Sequence, residues 1–233
     1  MNKYYRYILV VISCMMVSCV LTSAIFLIFF EDDGDIPYTK GIDATVSIEV
    51  FDGSQKIGAG TGFSIWNDSI VILTNAHVIL TSSLSDTQII LKDANENKCA
   101  AIVSYIDVDR DVAILTPTSS NLSLIPLDLN ISDLKYGQVV YVCSNARNYG
   151  ISVQNGIISI PNLHIYSGDI DRLSIQTTIP LNKGSSGAPL INESGEVVGI
   201  MSFRMKDESG NLVQGLSYAI PSSTLIDVLS EYN

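Results

Sequence analysis

The sequence predicts an all-β protein whose strands fall into two groups of six, preceded by an apolar segment. Three observations carry this prediction: short runs rich in β-branched and aromatic residues, Gly, Asp and Asn turn signals between those runs, and little helical periodicity. Many short strands separated by turns are typical of a barrel or a sandwich. Two groups of six therefore indicate two six-stranded antiparallel barrels.

The predicted strands run from Ala44 to Ile220, with one break between the two groups. In chain order they are Ala44–Phe51, Lys56–Trp66, Ile70–Leu73, Thr87–Leu91, Cys99–Ile106 and Val112–Leu115, then Gln138–Ser144, Ile151–Ile160, Leu173–Thr178, Pro189–Asn192, Glu196–Met205 and Leu216–Ile220. The segment Pro117–Leu134, which contains scattered Ser, Asn and Pro, is predicted to cross between the groups. A short helix is predicted at Ser222–Glu231, because a proline precedes it and its apolar residues share one face.

The apolar segment Ile8–Phe30 contains no charged residue and, at roughly 23 residues, is long enough to cross a bilayer. Lys3 and Arg6 precede it and the acidic run Glu31–Asp35 follows it, so the positive-inside rule places the N-terminus in the cytoplasm and the rest of the chain outside. A cleaved signal peptide is the alternative. Its apolar region is usually about 7–15 residues long, and the length of this segment therefore favours an uncleaved anchor.

These boundaries predict four regions. They are residues 1–30 as a short cytoplasmic stub and transmembrane anchor or signal peptide, 31–42 as an acidic linker, 43–125 as the N-terminal barrel, and 126–233 as the C-terminal barrel with the final helix.

The charge and cysteine content exclude several classes of partner. The formal net charge is −11, and all 24 acidic residues follow Phe30 together with 11 of the 13 basic ones. Because phosphate binding needs clustered Lys and Arg, we expect no nucleic-acid partner. Cys99 and Cys143 lie in different predicted barrels, so we expect buried free thiols rather than a disulfide. No group of residues has metal-ligand spacing, and we predict no metal and no other cofactor.

A serine between glycines, Ser186 in the stretch Gly184–Leu190, has the local sequence of a nucleophile. Glycines allow a tight turn that exposes the hydroxyl and directs backbone N–H groups toward one point. Serine needs a base, usually a histidine held by a carboxylate. Of the two histidines, His77 directly follows a β-rich run, whereas His164 has no partner signature in the sequence and is more typical of a surface or packing histidine.

Three acidic residues lie close together in the chain between His77 and Ser186. Asp111 stands at the entrance of a strand, where a carboxylate is positioned rigidly, whereas Asp107 and Asp109 belong to the preceding turn. Asp109, two positions earlier, stays the alternative to Asp111. The resulting chain order of His, Asp and Ser is one of the known orders of this constellation.

Four motifs in this chain, taken together, resemble the trypsin-like serine proteases of the HtrA/Deg type, which have the chymotrypsin fold. The motifs are Thr74–Val78, Asp111–Leu115, Gly184–Leu190 and Gly215–Pro221. Each motif is weak by itself, whereas all four in the required order are specific. The resemblance covers residues 40–231 and implies a protease domain without the PDZ domain that often follows it in this family. It also implies a possible homo-oligomer, namely a trimer.

The resemblance assigns roles to the candidate residues. Ser186 would attack the scissile carbonyl, His77 would take the proton of the serine, and Asp111 would fix the imidazole tautomer. The backbone N–H groups of Gly184 and Ser186 would form the oxyanion hole.

The resemblance also points to substrate-binding residues. They are Ile179, Pro180 and Leu181 on one wall of the specificity pocket and Ser202, Phe203 and Arg204 on the other. The strand that carries the second set resembles the edge strand that pairs with the backbone of an extended polypeptide substrate. Because no acidic residue is near the first wall, we expect cleavage after small or medium aliphatic residues rather than after Lys or Arg.

The nucleophile stretch departs from the usual family pattern at three positions. Ser185 replaces asparagine, Ala188 replaces glycine, and Lys183 stands where proline is common. Ser185 keeps its backbone donor, and the methyl group of Ala188 is tolerable if its φ is negative.

Two main functions follow. The first is a membrane-anchored serine endopeptidase that cleaves extended or unfolded polypeptides outside the cytoplasm. The second is a catalytically silent protease-like domain that binds peptide segments as a sensor or adaptor. A third possibility is an active site assembled only on oligomerisation or ligand binding, with the segments Tyr166–Arg172 and Met205–Gly215 as regulated loops.

Overall fold

The computed structural model describes residues 4–5, 11–18, 37–80, 87–167, 170–206 and 212–232. The chain divides into two units, Met1–Ile36 and Pro37–Asn233. Of the predicted membrane segment Ile8–Phe30, only residues 11–18 are described, and they are helical; the remainder lies outside the described residues. Within the described part of the chain, no helix has the length and apolar character that crossing a membrane requires.

The second unit contains all of the described β structure. Its α-helices are α1 (Pro37–Ala44), α2 (Ala76–Ile79) and α3 (Ser222–Tyr232), and a short 3₁₀ helix spans Ala146–Asn148. The first six strands are β1 (Thr45–Asp52), β2 (Gln55–Asn67), β3 (Ser69–Thr74), β4 (Thr87–Lys92), β5 (Lys98–Asp107) and β6 (Val112–Pro117). The second six are β7 (Val139–Ser144), β8 (Ser152–Ser167), β9 (Ile170–Thr177), β10 (Pro189–Ile191), β11 (Val197–Lys206) and β12 (Leu212–Pro221).

Each group of six strands closes into an antiparallel barrel. The order around the first barrel is β1-β2-β3-β6-β5-β4, and the order around the second is β10-β11-β12-β9-β8-β7. Alternate side chains of a strand point to one face. In this way Val46, Ile48 and Val50 of β1 fill the interior of the first barrel. The prediction of two six-stranded barrels and a short C-terminal helix is confirmed.

Besides the apolar interior of each barrel, a further apolar cluster lies between the two barrels. Phe63 and Ile114 of the first barrel are buried in it with Ile191 and Ile200 of the second, and Leu225 of α3 packs against the same cluster. Because the barrels meet over an apolar surface, loops at the rim of this surface are held in fixed positions relative to each other.

The crossing segment between the barrels is hydrogen-bonded to both of them. The N–H of Leu127 donates to Ser64 O at 2.9 Å in the first barrel, and the N–H of Asn130 donates to Val197 O at 2.8 Å in the second. The predicted crossing is therefore an ordered strap across the junction of the barrels.

The structure departs from the sequence prediction at one helix and two hairpins. The last residues of the predicted linker 31–42 form the start of α1, whose Tyr38 and Ile42 pack against the core between the barrels. Proline at the first helical position is favourable, because its missing N–H has no partner there in any case. In the two hairpins, strand pairing extends beyond the predicted strands. β8 runs to Ser167 and β9 begins at Ile170, while β11 runs to Lys206 and β12 begins at Leu212.

The two cysteines of the barrels are buried free thiols, as predicted. Cys99 lies on β5 and Cys143 on β7, in different barrels. Burial raises the pKa of the Cys143 thiol to about 12, so this thiol stays protonated. Its Sγ lies against Gly41 of α1, where an added Cβ would come within 2.6 Å of the sulfur. Glycine at this position lets α1 approach the second barrel.

Candidate active site

His77 lies on α2, a single helical turn that begins immediately after β3. Ala76, Val78 and Ile79 of this turn are buried, whereas the side chain of His77 is 49% exposed. Asn75 before the turn has an extended backbone with φ of −82° and ψ of 147°. The buried neighbours thus anchor the turn and leave the imidazole at the surface, in the cleft between the barrels.

Asp111 has a left-handed backbone, with φ of +55°, directly before β6. Aspartate tolerates this conformation better than most residues, because its short side chain can bond locally. The side-chain Nδ2 of Asn75 donates to Asp111 O at 3.0 Å. This bond and the turn at Asp111 direct the carboxylate toward α2.

The carboxylate of Asp111 accepts hydrogen bonds from two residues. The backbone N–H of His77 donates to Oδ1 at 3.0 Å, and Nδ1 of the same histidine lies 3.0 Å from Oδ1 and 2.9 Å from Oδ2. The hydroxyl of Ser202 on β11 donates to Oδ2 at 2.7 Å. The carboxylate therefore fixes the orientation of the imidazole, and a residue of the second barrel fixes the carboxylate.

These contacts determine the charge of Asp111. Burial would raise the pKa of the carboxyl, but the hydrogen bonds from His77 and Ser202 and the charge of His77 outweigh it and lower the pKa below its ordinary value of 3.8. Asp111 is therefore ionised at neutral pH, and it can stabilise a protonated imidazole.

Ser186 lies in the loop before β10, and its hydroxyl donates to Ser202 O at 3.1 Å. Within the described residues, this hydroxyl makes no hydrogen bond with His77. Ser202 thus contacts both sides of the site, since its side chain binds Asp111 and its carbonyl binds Ser186. The structure brings His77 and Asp111 into direct contact and joins Ser186 to them through Ser202.

Two peptide groups of the Ser186 loop are fixed by hydrogen bonds to their carbonyls. Lys183 O accepts from the N–H of Arg147 at 2.8 Å, and Ser185 O accepts from the N–H of Ala188 at 3.1 Å. In a trans peptide the C=O and the following N–H point in opposite directions. The N–H groups of Gly184 and Ser186 therefore point away from these partners, and neither donates to another described residue.

Thr61 of β2 binds the Ser186 loop from the first barrel. Its hydroxyl donates to Gly184 O at 2.6 Å, and its N–H donates to Ser186 O at 2.9 Å. The same hydroxyl accepts from the N–H of Asn145 at 3.1 Å. Gly187 packs so closely on this residue that a Cβ there would lie 2.0 Å from Thr61 O. The fully buried Thr61 thus positions the backbone on both sides of Ser185.

Comparison with known proteins identifies the family of this fold. Residues 60–200 match the trypsin-like peptidase domain. The chain belongs to the trypsin-like peptidase family.

Individual trypsin-like peptidases of the HtrA/Deg type match over most of this chain. Serine endoprotease DegS of Haemophilus influenzae is 34% identical over 80% of this chain and 53% of its own length. A probable periplasmic serine endoprotease, DegP-like, of Halomonas elongata is 37% identical over 76% of this chain and 35% of its own length. The crystal structure of the serine endoprotease from Yersinia pestis superposes with a TM-score of 0.67 at 29% identity, and the match covers 84% of this chain and 65% of that one. The chain thus spans about half or less of the length of these two curated relatives.

The departures from the trypsin-like pattern are accommodated locally. The side chain of Ser185 is buried and accepts a hydrogen bond from the Ser144 hydroxyl at 3.1 Å. Ala188 is fully buried in the core of the second barrel, and its φ is not positive. The backbone carbonyl of Lys183 accepts the bond from Arg147 described above. Each substituted position therefore has a place in the loop or its core.

The residues predicted for the specificity pocket lie in two environments. Ile179 and Leu181 are buried in the core of the second barrel, and Pro180 between them is exposed. Phe203 and Arg204 lie on β11, where they pair with Tyr218 and Ser217 of β12, and their side chains are outside the described part of the structure. A pocket built from these residues stays a prediction.

His164 lies on β8 at the surface, as predicted, but it has a partner that the sequence analysis missed. Its Nδ1 lies 3.0 Å from both carboxylate oxygens of Asp171 on β9. The antiparallel hairpin of β8 and β9 places the two side chains together, although seven residues separate them in the chain.

Sequence reasoning also missed the residues that support the site. Thr61 and Asn145 carry no motif of their own, and Ser202 was assigned only to substrate binding. Their contacts join residues of different barrels, and no short motif in the sequence identifies such distant partners. The Gly60–Gly62 stretch, with a glycine on each side of Thr61, marks a close approach of the backbone but does not name its partner.

Proposed function

We propose that this trypsin-like peptidase is a serine endopeptidase that hydrolyses peptide bonds in extended or unfolded polypeptides. Ser186 is the nucleophile, His77 is the general base and acid, and Asp111 holds the imidazole. The observation that carries this proposal is the pairing of the buried Asp111 carboxylate with Nδ1 of His77. Because Nδ1–H donates to the carboxylate, Nε2 is the unprotonated nitrogen that can accept a proton.

The proton transfer requires the Ser186 hydroxyl to change partner. In the described state the hydroxyl donates to Ser202 O. Rotation about χ1 between staggered positions redirects the hydroxyl without backbone movement. Contacts between nucleophile and base are commonly loose in unliganded enzymes and tighten when substrate binds. We propose that substrate binding replaces the bond to Ser202 with one to Nε2 of His77.

The N–H groups of Gly184 and Ser186 form the proposed oxyanion hole. The supporting observation is that the carbonyls of the two peptides are bound on the far side by Arg147 and Ala188, which leaves both N–H groups available. One oxyanion donor is typically worth about 2.7–4 kcal/mol of transition-state stabilisation. A loop fixed in advance supplies this stabilisation without reorganising during the reaction.

The proposed substrate is an extended chain that pairs with β11. The pairing of β11 with β10 runs through Ile200, and bonds from the Ser186 loop continue it to Met201. From Phe203 to Lys206, β11 pairs only with β12 within the described residues. Its other edge is available to a polypeptide strand, which main-chain hydrogen bonds would hold. Ile179, Pro180 and Leu181 together with Ser202, Phe203 and Arg204 are the proposed lining of the specificity pocket.

We also propose that the segment Ile8–Phe30 tethers the peptidase domain to a membrane, with the domain outside the cytoplasm. The support is the uncharged apolar run with basic residues before it and acidic residues after it. Alkaline extraction of membranes from expressing cells tests the tether. Retention of the full-length chain in the membrane pellet supports it, and release into the supernatant contradicts it. A homo-oligomer, such as a trimer, stays a prediction that light scattering of the purified protein tests.

The endopeptidase proposal is tested on an unfolded protein substrate, with new termini identified by mass spectrometry. The wild type should cleave the substrate, and Ser186→Ala should reduce cleavage to background because the nucleophile is gone. Ser194→Ala is the matched control, since Ser194 is exposed in the turn between β10 and β11. Equal cleavage by wild type and Ser186→Ala would contradict the proposal.

A further inference from the structure

A cavity of about 340 Å³ opens beside His77, and most of its lining residues belong to the first barrel. Ala76, Leu80 and Val108 form apolar walls, and Arg172 of β9 lines the cavity as well. The cavity shares His77 and Ser202 with the proposed active site, so whatever occupies it lies next to the reacting groups. We refer to it as the Arg172 pocket.

The guanidinium of Arg172 is held in place by neutral groups. Its Nε donates to Asp109 O at 2.9 Å, and its Nη2 lies 3.4 Å from Val108 O. These contacts tie β9 of the second barrel to the turn that precedes Asp111. They orient the guanidinium and leave its Nη1 donors without a partner in the described structure.

Arg110, which lies in the turn that Arg172 contacts, differs from Arg172 in its ion pairing. Arg110 forms ion pairs with Asp107 and Glu231, so its charge is neutralised by carboxylates. Arg172 forms no ion pair with a carboxylate of the described residues. In a chain with 24 acidic and 13 basic residues, an oriented cation without a carboxylate partner beside the reacting groups is a candidate to bind an anionic group.

The carboxylate of Asp111 also lines the Arg172 pocket, but its oxygens are already bound. They accept from the N–H and Nδ1 of His77 and from the hydroxyl of Ser202. The oxygens of Asp111 are therefore occupied as acceptors, whereas the Nη1 group of Arg172 has donors that a ligand can use.

The position of the pocket identifies the substrate residue that reaches it. Alternate side chains of an extended strand point to opposite faces. P1 is the substrate residue whose carbonyl is attacked, and P2 is its neighbour on the amino-terminal side. If the P1 side chain points toward the second barrel, the P2 side chain points toward the first. Five of the seven residues that line the Arg172 pocket, Ala76, His77, Leu80, Val108 and Asp111, belong to the first barrel, so P2 is the residue that reaches it.

We propose that the Arg172 pocket binds an acidic side chain, Asp or Glu, at P2 of the polypeptide substrate. The apolar walls contact the methylene groups, and the guanidinium donates to the carboxylate. This inference rests on the proposed endopeptidase function and adds a substrate preference to it.

The test uses peptides that differ only at P2, with Glu, Gln or Lys. Binding is measured with the Ser186→Ala protein by fluorescence anisotropy, so that no turnover is needed, and kcat/KM is measured with the wild type. Glu should be preferred over Gln by about fivefold, as expected for a partly solvated charge pair. The preference should weaken as ionic strength rises, because salt screens exposed charges.

Substitution of Arg172 gives the decisive comparison. Arg172→Met should bring the Glu to Gln ratio to one, and Arg172→Glu should invert the preference toward Lys. The ratio between two peptides is used because Arg172 also holds the turn before Asp111, so that its loss can lower overall activity. Lys56→Gln removes a cation that is paired with Glu49 elsewhere, and it should leave the ratio unchanged.

Two results would overturn the inference. One is equal affinity of the Ser186→Ala protein for the Glu and Gln peptides, or no affinity for either. The other is a Glu preference that survives Arg172→Glu. An absence of cleavage by the wild type, with the binding preference intact, would instead contradict the proposed endopeptidase function alone.

Discussion

The protein contains two histidine–aspartate pairs with almost the same contact. Nδ1 of His77 lies 2.9 Å from Oδ2 of Asp111, and Nδ1 of His164 lies 3.0 Å from Oδ2 of Asp171. The carboxylate side chains differ in exposure, at 9% for Asp111 and 43% for Asp171. The contact between the two side chains is therefore common to both pairs, and their surroundings distinguish them.

The first pair belongs to a wider arrangement of hydrogen bonds. Asp111 also binds the His77 backbone and the Ser202 hydroxyl, and Ser202 in turn accepts from Ser186. The second pair joins adjacent strands of one hairpin at the surface, and the described structure shows no further side-chain partner for Asp171. An imidazole becomes a useful base when a buried carboxylate fixes it beside a nucleophile, not merely when it has a carboxylate partner.

The largest expected effect separates the two aspartates. Asp111→Asn should lower kcat by about 10⁴-fold, because the amide favours the wrong imidazole tautomer while preserving shape. Asp171→Asn, the matched change at the surface pair, should alter kcat by less than about twofold, since exposed charge pairs contribute little. Steady-state kinetics on one peptide substrate measures both. Similar losses of kcat in the two variants would contradict the view that the burial of Asp111 gives the His77 pair its catalytic role.

A smaller effect on kcat is expected when the hydrogen bond from Thr61 to the Ser186 loop is removed. The surface pair of His164 and Asp171 has no comparable supporting residue in the described structure. Thr61→Val keeps the shape of the side chain but leaves Gly184 O without its donor, and we expect kcat to fall about tenfold with KM nearly unchanged. Thr61→Ser restores the hydroxyl and should recover most of the activity. Thr45→Val is the control. The buried hydroxyl of Thr45 donates to Gly41 O at 2.6 Å, and this bond lies away from the proposed active site. Equal losses of kcat in the two valine variants would contradict a positioning role for Thr61.

The smallest expected effect concerns stability and pH. The pKa of Asp111 is lowered below 3.8 in the folded protein, so its ionised form stabilises the fold. This contribution is fully present above the unfolded-state pKa and is lost as pH falls through the lower folded pKa. Denaturant unfolding at pH values on both sides of 3.8 should therefore show wild type and Asp111→Asn converging at acid pH.

Asp93 provides the positive control for that measurement. Burial would raise its pKa, but hydrogen bonds from the Ser123 backbone and from Asn95 and Asn97 lower it below 3.8. Asp93→Asn should show the same convergence although it lies away from the proposed active site. A stability difference between wild type and Asp111→Asn that stays constant through the acid range would show that the Asp111 carboxylate is not stabilised in its ionised form.

The sequence predicted the barrels well because strand alternation and turn residues are local signals. It underestimated the hairpins β8–β9 and β11–β12, whose polar ends are held by pairing with a neighbouring strand rather than by their own pattern. It missed α1, because an acidic segment with a proline resembles a linker. The packing of Tyr38 and Ile42 against the apolar cluster between the barrels is not visible in the sequence. In each case the missing information lies in contacts between distant parts of the chain.

The same limit applies to the site. His77, Asp111 and Ser186 stand in short motifs and were proposed from the sequence. The bond from the Thr61 hydroxyl to Gly184 spans 123 residues, and the bond from Ser202 to Asp111 spans 91. The left-handed backbone of Asp111 is equally invisible in its motif, because Asp is compatible with several conformations.

Covalent labelling by a fluorophosphonate is the direct test of Ser186 as a nucleophile activated by His77, since only an activated serine reacts rapidly. We expect labelling of the wild type at Ser186, loss of labelling in Ser186→Ala and His77→Ala, and a wild-type rate in His164→Ala. Labelling that persists in His77→Ala at the wild-type rate, or a wild type that is not labelled under any condition, would contradict this assignment.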